Sequence, residues 1–128
     1  MRDLAEVQEW IRKAENDFEG ALDLARRRKH PLPDLVCFHC QQAAEKYLKA
    51  VLIRNEQTFP KTHDLILLFE LCLRFAPTLE VHRELFEILN PYSVQFHYPG
   101  EETTVNEART AVRAMREIRA LLTQLLPT

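Results

Sequence analysis

The apolar residues Leu4, Val7, Ile11, Ala14, Phe18, Ala21 and Ala25 recur in steps of three and four without a break. Only an α-helix gathers such a spacing into one narrow stripe, so the chain opens with a helix that buries one edge. This helix runs into Arg26-Arg27-Arg28-Lys29-His30 and then Pro31 and Pro33. Positive charge suits a helix C-terminus, and the prolines end propagation. A second helical run extends from Asp34, read as an N-cap, to about Arg54. Val36, Cys37, Cys40, Ala43, Ala44, Tyr47, Leu48, Ala50 and Val51 fall on one half of it, and His39, Gln41, Gln42, Glu45, Lys46 and Lys49 on the other. Leu35, Phe38 and Ile53 interrupt the polar half, which marks them for a second contact, with another helix of the chain or with a partner subunit.

Pro60 separates a third helix, which Thr62 is expected to cap, with Asp64 in its first turn and Leu65, Leu68, Phe69, Cys72 and Phe75 inside. Pro77-Thr78 opens a fourth, with Leu79, His82, Leu85, Phe86 and Leu89, and Asn90-Pro91 breaks it because proline removes a donor and clashes with the preceding turn. Tyr92 to Glu102 reads as irregular. Thr104-Val105-Asn106-Glu107 is a capping box, and Val105, Ala108, Val112, Met115, Ile118, Leu122 and Leu125 carry the last helix. No alternating run of β-branched residues asks for a strand. The expected fold is all-α, a single domain over residues 1–128: an up-and-down bundle of four long helices and a shorter one.

Composition removes several function classes. A formal net charge of −2 gives no general attraction to nucleic acid, so any RNA contact has to come from a local patch. No apolar run approaches the ~20 residues of a membrane span. The N-terminus turns straight into an amphipathic helix with no apolar signal core, which points to the cytoplasm. Cys37, Cys40 and Cys72 are an odd set and argue against a disulfide framework. Cys37-Phe38-His39-Cys40 lacks the second ligand pair of a structural zinc site, and both cysteines fall on the apolar half. Core packing accounts for them, and neither metal nor cofactor is expected. Gly20 and Gly100 are the only glycines, too few for a phosphate-cradling loop, and the single serine, Ser93, has no flanking glycine.

Four groups of residues carry chemistry. His39, Gln42 and Lys46 stack at i, i+3 and i+7 on one helix face, with Lys49 close by. The lysines could hold phosphate and the histidine could exchange a proton near neutral pH; the plainer account is a polar contact with a neighbouring helix. Lys61-Thr62-His63-Asp64 sits at a helix N-terminus, where Thr62 and Asp64 satisfy backbone donors and Lys61 and His63 could attract an anion. Arg109, Arg113 and Arg116 form a basic stripe on the last helix, and Arg26 through Lys29 a basic cluster after the first. Either is a solubility feature or a contact for a nucleic-acid backbone or an acidic protein. Finally, Tyr92, Phe96, His97 and Tyr98 could stack a base and supply an acid–base group, or else pin their loop to the core.

The order of these features resembles the HEPN family. The resemblance rests on Cys-Phe-His-x-Gln-Gln-Ala-Ala-Glu-Lys-x-Leu-Lys-Ala at Cys37 to Ala50, Lys-Thr-His-Asp-Leu at Lys61 to Leu65, and the Tyr-containing segment from Tyr92 to Tyr98-Pro99. It spans nearly the whole chain. It implies a four- or five-helix bundle, frequent homodimers, and pairing with a minimal nucleotidyltransferase in toxin–antitoxin-like systems. Many family members are metal-independent ribonucleases whose motif is an Arg, four to six residues, then a His. None of His30, His39, His63, His82 and His97 has an arginine at that spacing, and His97 stands where the family's Arg-Tyr-Pro is common.

Two functions follow. The first is a non-catalytic, dimeric module that binds a nucleotide or a partner protein through His39, Gln42, Lys46, Lys49, Lys61, His63, Asp64 and Tyr98, with Leu35, Phe38 and Ile53 at an interface. The second is a divergent ribonuclease toxin acting through His39, His63 or His97, with a cation to meet phosphorane charge.

Overall fold

A computed structural model describes residues 4–94 and 98–126. Helix α1 spans Leu4–Ala25, α2 Pro33–Arg54, α3 Leu65–Cys72, α4 Arg83–Leu89 and α5 Val105–Thr123; short 3-10 turns cover Pro77–His82 and Asn90–Tyr92. The described residues contain no strand. The bundle is therefore three long helices with two short ones, where the sequence had suggested four long and one short. Proline explains the difference: Pro77 and Pro91 lack the donors that would extend a helix through them, so tighter 3-10 turns flank α4.

Helix α2 is the central element, packed mainly against α1 and α5 and also against α3. Ala43, Ala44 and Ala50 of α2, Ala14 and Ala21 of α1 and Ala111 of α5 are fully buried, and such small side chains let helix backbones approach closely. Larger plugs fill the remaining space: Tyr47, Leu48, Leu52, Phe69, Phe86, Met115, Ile118 and Leu122. Because neighbours surround α2, its outer half is covered too. Gln41, Glu45, Lys49 and Ile53 are buried despite their positions on that half. Ile53, one of the three residues expected at an interface, is only 3% exposed within its own chain. The expected interface thus contracts to Leu35 and Phe38, which stay half-buried.

Two expected caps moved. Helix α2 starts at Pro33, with its N-cap at Leu32, two positions before the expected Asp34, and with no side-chain cap. Asp34 instead reaches across the bundle and accepts from the Thr103 N–H at 2.9 Å, tying the start of α2 to the lead-in of α5. At α3 the N-cap is Asp64, whose carboxylate accepts from Ile66 and Leu67 N–H at 3.0 and 3.2 Å. Thr62 stands two residues outside, accepting from the Asp64 N–H. A carboxylate outcompetes the hydroxyl at a helix N-terminus because it also meets the dipole. The capping box of α5 forms as the sequence spells it: Thr104 Oγ1 accepts from Glu107 N–H and Glu107 Oε1 from Thr104 N–H, both at 3.0 Å.

Candidate functional site

The chemistry-bearing residues of α2 sort into two groups, each built around one carboxylate. On the α1 side, Asp17 uses Oδ1 for His39 Nδ1, at 2.8 Å, and Oδ2 for the Lys46 ammonium. The i, i+7 spacing of His39 and Lys46 places them two turns apart on one face, and Asp17 enters between them from the edge of the α1 stripe beside Phe18. All three are partly covered, with Asp17 the most enclosed. A carboxylate at Nδ1 fixes a neutral His39 with its proton there and directs the Nε2 lone pair away.

On the α3 side, Glu45 is buried and pairs with Lys49 Nζ at 2.9 Å and His63 Nδ1 at 3.0 Å. Gln41 Nε2 donates to the His63 carbonyl at 3.1 Å and lies 3.4 Å from Glu45 Oε1, while Gln42 donates to Gln41 Oε1 at 2.8 Å. The Lys49 ammonium also sits over the rings of Trp10 and Phe59, at 5.3 and 5.7 Å from their centroids, which compensates a buried cation. His63 itself is largely exposed.

Of the expected site residues, then, His39, Gln42, Lys46, Lys49 and His63 all belong to these networks on α2. Asp64 is occupied as a cap, and Lys61 is exposed with no hydrogen bond or ion pair to either group. Tyr98 is exposed. His97 and Phe96 lie outside the described residues. Tyr92 is half-buried against the core and donates to Glu107 Oε2 at 3.4 Å, so this aromatic pins its segment. Burial and the neighbouring Cys37 and Glu107 push its hydroxyl up to about 12.

Three participants escaped the sequence reading. The sequence pattern does not single out Asp17 at all, and it marks Glu45 only as one of the polar half of α2. The third is a tie across all three long helices: Arg119 of α5 donates to Glu15 of α1 through Nε and Nη2, at 3.1 and 2.9 Å, and to the buried Tyr47 hydroxyl of α2 at 3.1 Å. Its guanidinium stacks over Phe18, 4.5 Å from the ring centroid. A carboxylate beside an apolar stripe, opposite a His or Lys of the next helix, is the signal that could have found the first two.

The thiols are packing groups. Cys37, Cys40 and Cys72 are free and buried, and desolvation first of all raises their pKa values, to about 12 for Cys37 and Cys72 and further for Cys40. A thiol so disfavoured as thiolate is a poor nucleophile or metal ligand.

The HEPN domain family model matches residues 7–125 of this chain. The chain belongs to the HEPN family. Two solved structures share its fold. The crystal structure of TT1696 from Thermus thermophilus has a TM-score of 0.79 and 22% identity, covering 94% of this chain and 98% of that one. ST0689, an archaeal HEPN homologue, has a TM-score of 0.68 and 23% identity, covering 93% and 97%. At that identity these structures speak for the fold alone. No functionally curated protein matches the sequence. No helix among the described residues of this HEPN protein is long and apolar enough to cross a membrane.

Proposed function

We propose that this HEPN protein is a non-catalytic, dimeric binding module, one that takes a nucleotide or a minimal nucleotidyltransferase partner on the polar face of α2. The observation that supports this reading is the commitment of both lysines. Lys46 and Lys49 are each held by the same carboxylate that holds the neighbouring histidine, Asp17 or Glu45. Phosphodiester cleavage needs a base for the 2′-hydroxyl and a cation free to meet charge that develops in the transition state. A lysine already neutralised by Asp17 or Glu45 meets that demand poorly, and neither network contains an arginine. A ground-state anion such as a nucleotide phosphate asks less, since His39 and Lys46 are partly exposed and can share their charge.

One observation favours the ribonuclease reading: Asp17 orients His39 as a carboxylate orients a general base. Incubation of the purified protein with labelled tRNA and mRNA in EDTA separates the two. The module reading expects intact RNA with the wild type, measurable nucleotide binding by calorimetry or copurification of a nucleotidyltransferase, and loss of that binding with Lys46→Ala. RNA cleavage abolished by His39→Ala, His63→Ala or His97→Ala overturns it.

A further inference from the structure

The two basic features of the sequence, 80 residues apart, meet at one end of the bundle. Arg26, Arg27 and Arg28, just past α1, and Arg109, on the second turn of α5, line a single cleft of about 840 Å3. Leu24, Leu32, Val36, Ala108 and Val112 make its interior aliphatic. Along α5 the wall runs from Val105, which is 42% exposed, to Val112, about 10 Å of helix axis. Arg113 and Arg116 continue the charge on the exposed face beyond the cleft. Arg26 is paired with Asp23, and Arg109 contacts Asn106, whereas Arg27 and Arg28 have no ion-pair partner among the described residues. An aliphatic trough flanked by unneutralised guanidiniums is thus exposed on a chain whose net charge is −2.

We infer that this cleft is the docking groove for an acidic amphipathic helix of a partner protein, its apolar edge seated between α1, α2 and α5 and its carboxylates on Arg27, Arg28 and Arg109. Charge complementarity selects an acidic occupant, and the aliphatic lining selects one with leucine-like side chains. The length argues for a helix over a compact anion. Arg109, Arg113 and Arg116 follow i, i+4, i+7 spacing, a ladder that matches carboxylates on successive turns of a parallel or antiparallel helix. A nucleic acid fits less well, because no aromatic side chain lines the cleft to stack a base. The groove is separate from the Asp17 and Glu45 networks, so it stands or falls independently of what the polar face of α2 binds.

The full-length protein tests this directly. A fluorescein-labelled helical peptide of about 18 residues, with Leu at every third or fourth position flanked by Glu, is titrated by anisotropy. Binding is expected to weaken roughly tenfold or more for Arg27→Ala/Arg28→Ala/Arg109→Ala, for the Gln-for-Glu peptide, and on raising salt. Val105→Glu, at an exposed wall position that leaves the core alone, is expected to weaken it as well. No binding of the peptide, or binding indifferent to these changes, overturns the inference. So does displacement of the peptide by single-stranded RNA or dodecyl phosphate that itself binds more tightly. Sedimentation provides a last check: if the triple arginine variant turns a dimer into a monomer, the groove belongs to a second copy of the chain and not to a partner.

Discussion

Glu56 shows how much a single residue can conceal. It follows the C-cap Asn55 of α2 with φ 57°, a left-handed conformation that costs a residue with a Cβ roughly 1 kcal/mol. The Gln57 N–H reaches the Leu52 carbonyl at 2.9 Å and the Glu56 N–H the Ile53 carbonyl at 3.0 Å, a Schellman ending that usually has glycine at this position. Glu56→Gly is therefore expected to raise the thermal midpoint, by something under about 1 kcal/mol of stability, and an unchanged or lowered midpoint would refute the strain argument. Glu45 is the opposite case, a side chain whose loss is severe. Removing it leaves the Lys49 ammonium buried without its carboxylate, and Glu45→Ala is expected to cost about 3 kcal/mol in urea unfolding. Glu45→Ala/Lys49→Met, which removes both charges, should recover most of that. A double variant as unstable as the single one would place the cost in packing instead of charge.

At the scale of elements, the helices differ in how far local sequence secures them. Helix α5 has its period and its capping box, so its start and the buried Ala108, Met115, Ile118 and Leu122 were legible in the letters. Val105 and Leu125 of the expected stripe stay 42% and 37% exposed, and Ala111 and Ala114 are buried in their stead. Helix α3 has only eight residues and depends on its ends. Asp64 holds two of its first N–H groups, and the Asn90 side-chain oxygen accepts the Leu65 N–H at 2.8 Å from the far end of α4. Asp64→Ala is expected to destabilise the protein by about 1 kcal/mol, and Asp64→Ser to restore most of it; a loss under a few tenths would show that the Thr62 hydroxyl takes over the cap. Sequence reasoning favoured Thr62 because both residues are competent caps. Asp64 is the stronger cap because its carboxylate also meets the helix dipole, and Asn90, from another element, adds a bond to the Leu65 N–H that no local pattern encodes.

For the molecule as a whole, the buried acids of weak strength set the alkaline limit. Cys37 and Cys72 are held near 12 and Cys40 above that, against an ordinary value of 9.0. The folded state keeps these protons while the unfolded chain releases them, so the thiols cost nothing below pH 9.0 and stability falls as pH rises past it. Each thiol contributes a slope of up to about 1.4 kcal/mol per pH unit. Tyr47, raised first by burial, adds its share above its ordinary 10.0. Urea midpoints measured between the two values should drop steeply, and Cys37→Ala/Cys40→Ala/Cys72→Ala should flatten that slope whatever it does to the plateau. A slope unchanged in the variant would move the alkaline sensitivity to other groups.

The sequence by itself determined what depends on neighbours within two helical turns: the all-α class, the middle of the apolar stripes of α1 and α5, the capping box and the burial of the three cysteines. The family followed from the order of motifs between Cys37 and Pro99. The side-chain period of a helix repeats every 3.6 residues, so any stretch long enough to show the period also shows the face it buries. Only the tertiary structure decided which charges meet. Asp17 and Lys46 are 29 residues apart, and Arg119 and Glu15 are 104. A lysine on the outer half of α2 looks equally solvated on a helical wheel whether it faces water or a carboxylate. Packing α1 and α3 against that half turned Lys46 into a partner of Asp17 and Lys49 into a buried ion pair, and it drew Ile53 into the core. Burial makes such pairs compulsory, because an ion removed from water without a partner costs several kcal/mol; which partner it finds depends on how the helices cross.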